Sequence, residues 1–357
     1  MRSIISSAAM LLCTFTAHTA FAEQAVGTRD ITIHSTARGK DLSVTVWYPS
    51  DGKGEKVNVG ENRIFEGAPA IKDAAIQPDR QPLVLLSHGS GSRAIGMAWI
   101  ATALAEAGFI VAAPDHPGTT SGDSTPADTP KIWERTDDIS TIITSLTRDA
   151  TWSKSIDANR IGVLGFSLGG STAIELAGAR ANLGAYAQYC VDYATSMDCQ
   201  WFSGGRGFKN DEQIKVPKLD LHTVDKARFE QSNHDDRIRT AVLVDPGLEV
   251  AFTQESLRTI DIPLTFINLG SVGKIPVSVL SDQLAKDVPD ATYMQVDESD
   301  HFSFLPVCKN GAAELLKSIG EVDPICEPGG RRDRSDIHKE LVRMIVDAFQ
   351  TTLKAVN

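Results

Sequence analysis

The chain has 357 residues, 42% hydrophobic and 23% charged, which is enough apolar material for a large globular domain with a sizeable core. A formal net charge of -11 gives an acidic surface that repels nucleic acid and anionic membranes, so neither is expected as a partner. Neutral small molecules stay open as substrates.

The first 22 residues read as a signal peptide. Arg2 supplies the positive start. "IISSAAMLLCTFTA" is an apolar run too short to anchor stably in a bilayer, and "AFA" at 20–22 is a small-x-small cleavage site. Residues 23–357 are then one exported domain, periplasmic or extracellular, with no later run apolar enough for stable membrane insertion. Cys13 lies in the leader, so four cysteines remain: Cys190, Cys199, Cys308 and Cys326. In an oxidising compartment an even count reads as two disulfides. Pairing by proximity gives 190–199 and 308–326, one of three connectivities. There is no C-x-x-C and no H-E-x-x-H, so no metal site is expected.

"TRDITIHST" (28–36) and "LSVTVWYP" (42–49) alternate apolar and polar residues and predict an antiparallel pair of edge strands. Residues 50–81 read as a long surface loop. "PLVLLSHG" and "FIVAAPD" are continuous apolar runs, the mark of strands buried on both faces. Between them "AWIATALAEAG" is a helix stopped at Gly108. "DISTIITSLTRDA" is a helix, "IGVLGFS" a strand, and "TAIELAGAR" a helix, so the order is that of parallel β-α-β units. Residues 181–239 interrupt it with Tyr186, Tyr189, Tyr193, Trp201 and Phe202, and read as an inserted lid over the carboxyl edge of the sheet. Trp201 and Phe202 are candidates for a substrate pocket, with the lid's own small core as the other use for such aromatics. Strands 240–247, 263–270 and 291–297, a helix near 277–286 and a closing amphipathic helix complete an α/β fold.

Gly165-Phe166-Ser167-Leu168-Gly169 fits G-x-S-x-G in the context that pattern needs: buried strand, sharp turn, helix. Such a turn lifts the serine clear of the sheet, in front of a helix N-terminus that favours negative charge. A serine hydroxyl needs a base to become a nucleophile. Of the histidines after Ser167, His222 and His234 fall in the insertion, and His338 lies among charged residues of the last helix, where it is expected to be solvated. His301 follows a strand in the loop "ESDHFSF" and is the candidate base. The loop after strand 263–270 has no carboxylate. Asp245, one strand earlier and before a Pro-Gly turn, is the candidate acid, with Asp282, Asp297 and Asp300 as the other carboxylates in range. The oxyanion donors are assigned to the backbone N–H groups of Leu168 and of Ser90, in "SHGSGS"; His88 is read as bracing that loop. The same glycine-rich run lacks the G-K-[ST] ending of a phosphate loop.

"PLVLLSHGSGS", "FIVAAPDHPG", "GVLGFSLGGSTA", "AVLVDPG" and "DHFSFL" together resemble the predicted dienelactone hydrolases and platelet-activating-factor acetylhydrolase-like esterases of the α/β-hydrolase superfamily. The resemblance runs from about residue 28 onward, outside the insertion. It implies an α/β-hydrolase fold, no cofactor, and hydrolysis of a small or short-acyl ester. It also supports Asp245 by position, because in the acetylhydrolases the acid follows the strand after the nucleophile helix. Dienelactone hydrolases proper use a cysteine where this chain has Ser167, which argues against a dienelactone substrate. Phospholipids with short acyl chains, polyesters and amides are the alternative substrates, and a secreted binding module with a decayed site is the alternative outside enzymes.

Overall fold

Residues 26–49 fold as a hairpin in which β1 (Val26–Ser35) pairs antiparallel with β2 (Lys40–Pro49). The structure is a computed structural model that describes residues 24–354 apart from Pro328 and Gly330; the leader segment lies outside them. The hairpin is not an edge. β2 runs on into the main sheet against β6 (Ile110–Pro114), and β1 is covered by β3 (Glu55–Val59) and β4 (Ala68–Lys72). Those two strands correct the reading of residues 50–81 as loop. Each is five residues long, too short for its alternation to stand out from the polar residues around it.

With β5 (Gln81–Ser87), β7 (Ile156–Phe166), β8 (Ile238–Val244), β9 (Leu264–Leu269) and β10 (Ala291–Val296), the sheet has ten strands in the order β10-β9-β8-β7-β5-β6-β2-β1-β4-β3. β10 through β6 in that order are parallel. The chain leaves β5 for β6 on one side and returns to β7 on the other, so a crevice opens beyond the carboxyl ends of β5 and β7.

The continuous apolar runs split by parity between two faces. Leu83, Leu85 and Val163 meet α2 (Ile132–Arg148) and α3 (Leu168–Leu176) on one side. Val84, Leu86 and Leu164 meet α1 (Ala98–Glu106) and the closing helix Arg334–Phe349 on the other. α2 starts at Ile132, earlier than the pattern suggests, because its inward face carries Arg135 and Asp138 among the apolar residues and so hides the stripe. Residues 277–279 form a turn, and the helix expected near there spans only Asp282–Asp287.

Segment 181–239 contains α4 (Leu183–Asp192), α5 (Met197–Phe202) and a short hairpin, and packs on the α2 and α3 side. Asn182 caps α4 by accepting the Ala185 N–H at 2.8 Å. Disulfides join Cys190 to Cys199, tying α4 to α5, and Cys308 to Cys326. Among the described residues, no helix is long and apolar enough to cross a membrane.

Candidate active site

Strand β7 ends at Phe166 and α3 begins at Leu168, so the chain must reverse within one residue. Ser167 makes that bend at φ 54°, ψ -122°, a conformation non-glycine residues rarely adopt. Two glycines permit it. A Cβ on Gly165 would lie 2.0 Å from the Gly169 carbonyl oxygen, and one on Gly169 would lie 1.8 Å from that of Ser87. Only hydrogen fits at either place.

The carboxyl ends of β7, β8 and β10 bring three distant residues together. Ser167 Oγ lies 3.1 Å from His301 Nε2, and His301 Nδ1 lies 2.9 Å from Asp245 Oδ2. With Nδ1–H donating to the carboxylate, Nε2 is free to accept the serine proton. Asp245 is wholly buried and itself adopts a positive φ of 43°. Its second oxygen accepts from Asn268 Nδ2 and from the Leu269 N–H, both at 2.8 Å. Asn268 is fixed in turn by donating to the Val279 carbonyl and accepting from the Ser281 N–H. Asn268 was not singled out from the sequence; a polar amide at a fully buried position of "LTFINL" is the signal that could have marked it.

The other carboxylates do other work. Asp300 accepts from Ser303 Oγ at 2.9 Å and caps the short turn His301–Phe304 that carries the imidazole. Asp282 bonds Gln283 and Lys286, and Asp297 bonds Gln295. The His301 ring stacks on Phe166, which stacks on Phe304.

His338 is corrected from solvated to buried: only 7% is exposed. It stacks on Trp99 at 3.8 Å between ring centres, and its Nε2 lies 3.1 Å from the carbonyls of both Ser303 and Leu305. Trp99 Nε1 donates to the Phe304 carbonyl between them. Three successive carbonyls of the His301 turn are thus held from α1 and the closing helix. Charged neighbours in sequence masked the burial, because Asp336 and Lys339 beside it point to solvent. Burial, with the nearby Arg334 charge, lowers the His338 pKa to about 4, against the pull of the two carbonyls. An unfolded histidine titrates near 6.5, so between the two values only the unfolded chain takes up the proton. The stability this residue carries is whole above about pH 6.5 and lost as pH falls toward 4, by about 3 kcal/mol. His88 and His116, both fully buried and also shifted well down, first by burial and then by Arg135, act in the same direction. We expect His338→Gln, whose amide can still donate to a carbonyl, to lose less urea resistance over that range than the wild type. Equal slopes of midpoint against pH would contradict this.

Leu168 opens α3, so its N–H belongs to the first turn, where helical acceptors are lacking. His88 braces the loop after β5: its Nδ1 lies 2.7 Å from the Gly89 carbonyl, and its Nε2 accepts the His116 N–H at 3.1 Å. In a planar trans peptide the Ser90 N–H points opposite the Gly89 carbonyl, away from the His88 ring. Gly89 itself borders Ser167, since a Cβ there would be 3.3 Å from the serine's Cβ.

Of the two pocket candidates, Phe202 is buried and packs edge-on against Tyr186, as the alternative use in the segment's own core requires. Trp201 stays partly exposed and donates Nε1 to Thr129 Oγ1 at 2.9 Å. Asp198, which the sequence did not single out, lies in the same segment. Burial raises its pKa, while the Tyr189 hydroxyl, donating at 3.1 Å, and the nearby charge of His301 oppose the rise. No cluster of possible metal ligands occurs among the described residues.

A family model described as serine aminopeptidase, S33, matches residues 78–190, less than half of the chain. No curated protein matches. Among solved structures, a ferulic acid esterase from Streptomyces cinnamoneus superposes with a TM-score of 0.59 at 18% identity, covering 95% of this chain and 92% of that one. A dienelactone hydrolase from Anabaena variabilis gives a TM-score of 0.47 at 12% identity over 91% and 98% of the two chains. The first likeness is one of fold; the second is too low to argue from.

Proposed function

The chain has the α/β-hydrolase fold, and from that premise we propose that it is an exported serine hydrolase cleaving small or short-acyl carboxylic esters. The observation that carries the proposal is the unbroken line of hydrogen-bond distances from Ser167 through His301 to the buried Asp245. Ser167 attacks the ester carbonyl carbon as its proton passes to His301 Nε2. The new oxyanion is held by the N–H groups of Leu168 and Ser90, at the positive end of α3. Asp245 fixes the imidazole tautomer and stabilises the imidazolium. As the intermediate collapses, His301 returns the proton to the departing alkoxide. Water then enters and attacks the acyl-enzyme carbonyl as His301 takes its proton; the second intermediate collapses, His301 returns that proton to Ser167 Oγ, and the acid is released. Every proton taken in one half-reaction is returned within it, so the chemistry needs no metal and no cofactor.

Export is supported by the reading of residues 1–22 and by two disulfides, which persist in oxidising compartments. Hydrolysis of p-nitrophenyl esters from acetate to palmitate, beside a p-nitroanilide, tests the substrate class. We expect kcat/KM to be highest for acetate or butyrate and the anilide to be much slower. A maximum at palmitate would overturn the short-acyl assignment, and preference for the anilide would move the reading to amide hydrolysis.

A further inference from the structure

Behind the loop that follows β5 lies a second polar network, outside the three residues already described. Its centre is Arg135 on α2, with 1% of its surface exposed. Nε donates to Thr172 Oγ1 at 3.1 Å and Nη1 to Thr119 Oγ1 at 2.6 Å. Nη2 donates to Ser87 Oγ at 3.2 Å and to the His88 carbonyl.

These acceptors belong to two separate pieces of the site. Ser87 and His88 lead directly into Gly89 and Ser90, and the Thr119 carbonyl accepts the Gly91 N–H at 2.9 Å, so the loop is gripped at both ends. Thr172 lies one turn into α3, and its hydroxyl also donates to the Leu168 carbonyl at 3.2 Å. One guanidinium therefore spans the loop that carries Ser90 and the helix turn that carries Leu168.

The charge is placed without a direct counter-ion. Among the described residues, no carboxylate pairs with Arg135. Asp138 acts on it by charge from a distance, and by hydrogen bonds only through His116, whose Nδ1 lies 2.9 Å from Asp138 and whose Nε2 lies 3.0 Å from Ser87 Oγ. Asp138 is itself neutralised by Arg38, which donates to it at 2.9 and 2.8 Å. Burial lowers the Arg135 pKa to about 9, which leaves it charged at neutral pH. A buried cation kept without a carboxylate partner is costly, so a structural role alone is a poor account of it. A lysine cannot replace it, because four acceptors in three directions require a planar fork.

We propose that Arg135 is a positioning residue for the oxyanion hole, holding the Ser87–Gly91 loop in register with the first turn of α3 so that both donors converge on one oxygen. The inference rests on Ser167 being the nucleophile. Misplacing one such donor typically costs about a hundred- to a thousandfold in rate.

The experiment compares wild type with Arg135→Lys and Arg135→Met. It measures kcat, KM, the pH-rate profile and inhibition by a short alkyl boronic acid, which forms a tetrahedral adduct on a serine nucleophile. Active sites are first counted with a fluorophosphonate. In both variants kcat per titrated site falls by about a hundred- to a thousandfold, and boronate inhibition weakens in parallel. KM and the acid limb of the profile stay close to wild type, because the contacts among Ser167, His301 and Asp245 are untouched. Wild-type kcat per titrated site in Arg135→Lys would overturn the proposal, even if Arg135→Met fails to fold. So would a loss of kcat with unchanged boronate affinity. Failure of the wild type to label at Ser167 would instead remove the nucleophile reading on which the inference stands.

Discussion

Ser167→Ala and His301→Ala are each expected to lower kcat by about a millionfold, and the double variant no further than either alone. The two side chains act as one unit. Ser167 Oγ lies 3.1 Å from Nε2, so the hydroxyl has no other route for its proton, and the imidazole has no other nucleophile to serve. Once either is gone, the remaining rate comes from binding and the oxyanion donors. Steady-state rates on p-nitrophenyl acetate for the two single variants and the double variant measure this directly. Losses that multiply in the double variant would mean that the residues work independently, against the account.

Asp245→Asn is expected to cost about ten-thousandfold in kcat with little change in fold. The surroundings decide which way the new amide turns. Two donors, Asn268 Nδ2 and the Leu269 N–H, point at one oxygen of Asp245, so the amide oxygen must take that side. Its NH2 group then faces His301 Nδ1, which can only accept. The ring proton moves to Nε2, and the imidazole can no longer take a proton from Ser167. Circular dichroism and kcat on the purified variant test this. A loss of less than about tenfold would assign the orienting role to another group.

The parts of this site legible in the sequence are those tied to a local pattern. Ser167 announces itself through glycines two residues either side and a continuous apolar strand before it. His301 is marked by its place just after a strand. Asp245 emerges because the loop beyond β9, residues 271–279, offers no carboxylate at all. All three lie at carboxyl ends of parallel strands, where such folds gather their chemistry.

What stayed hidden has no periodic trace. Arg135 meets Ser87 across 48 positions, and Trp99 meets the Phe304 carbonyl across 205. A single hydrogen bond between distant segments leaves no mark on spacing or composition. Buried polar residues even mislead, since Arg135, Asp138 and His338 look like solvent-facing positions until their partners are known. β3 and β4 were missed for a different reason: their pairing is set by the neighbouring hairpin rather than by their own short pattern.

The most direct test of the central claim is covalent labelling of the folded protein with a fluorophosphonate, followed by peptide mass mapping. The account predicts one adduct per chain, on Ser167, formed fast in wild type, slowly in His301→Ala and not at all in Ser167→Ala. Wild-type protein that carries no adduct on Ser167, or a Ser167→Ala variant that labels as well as wild type, would contradict it.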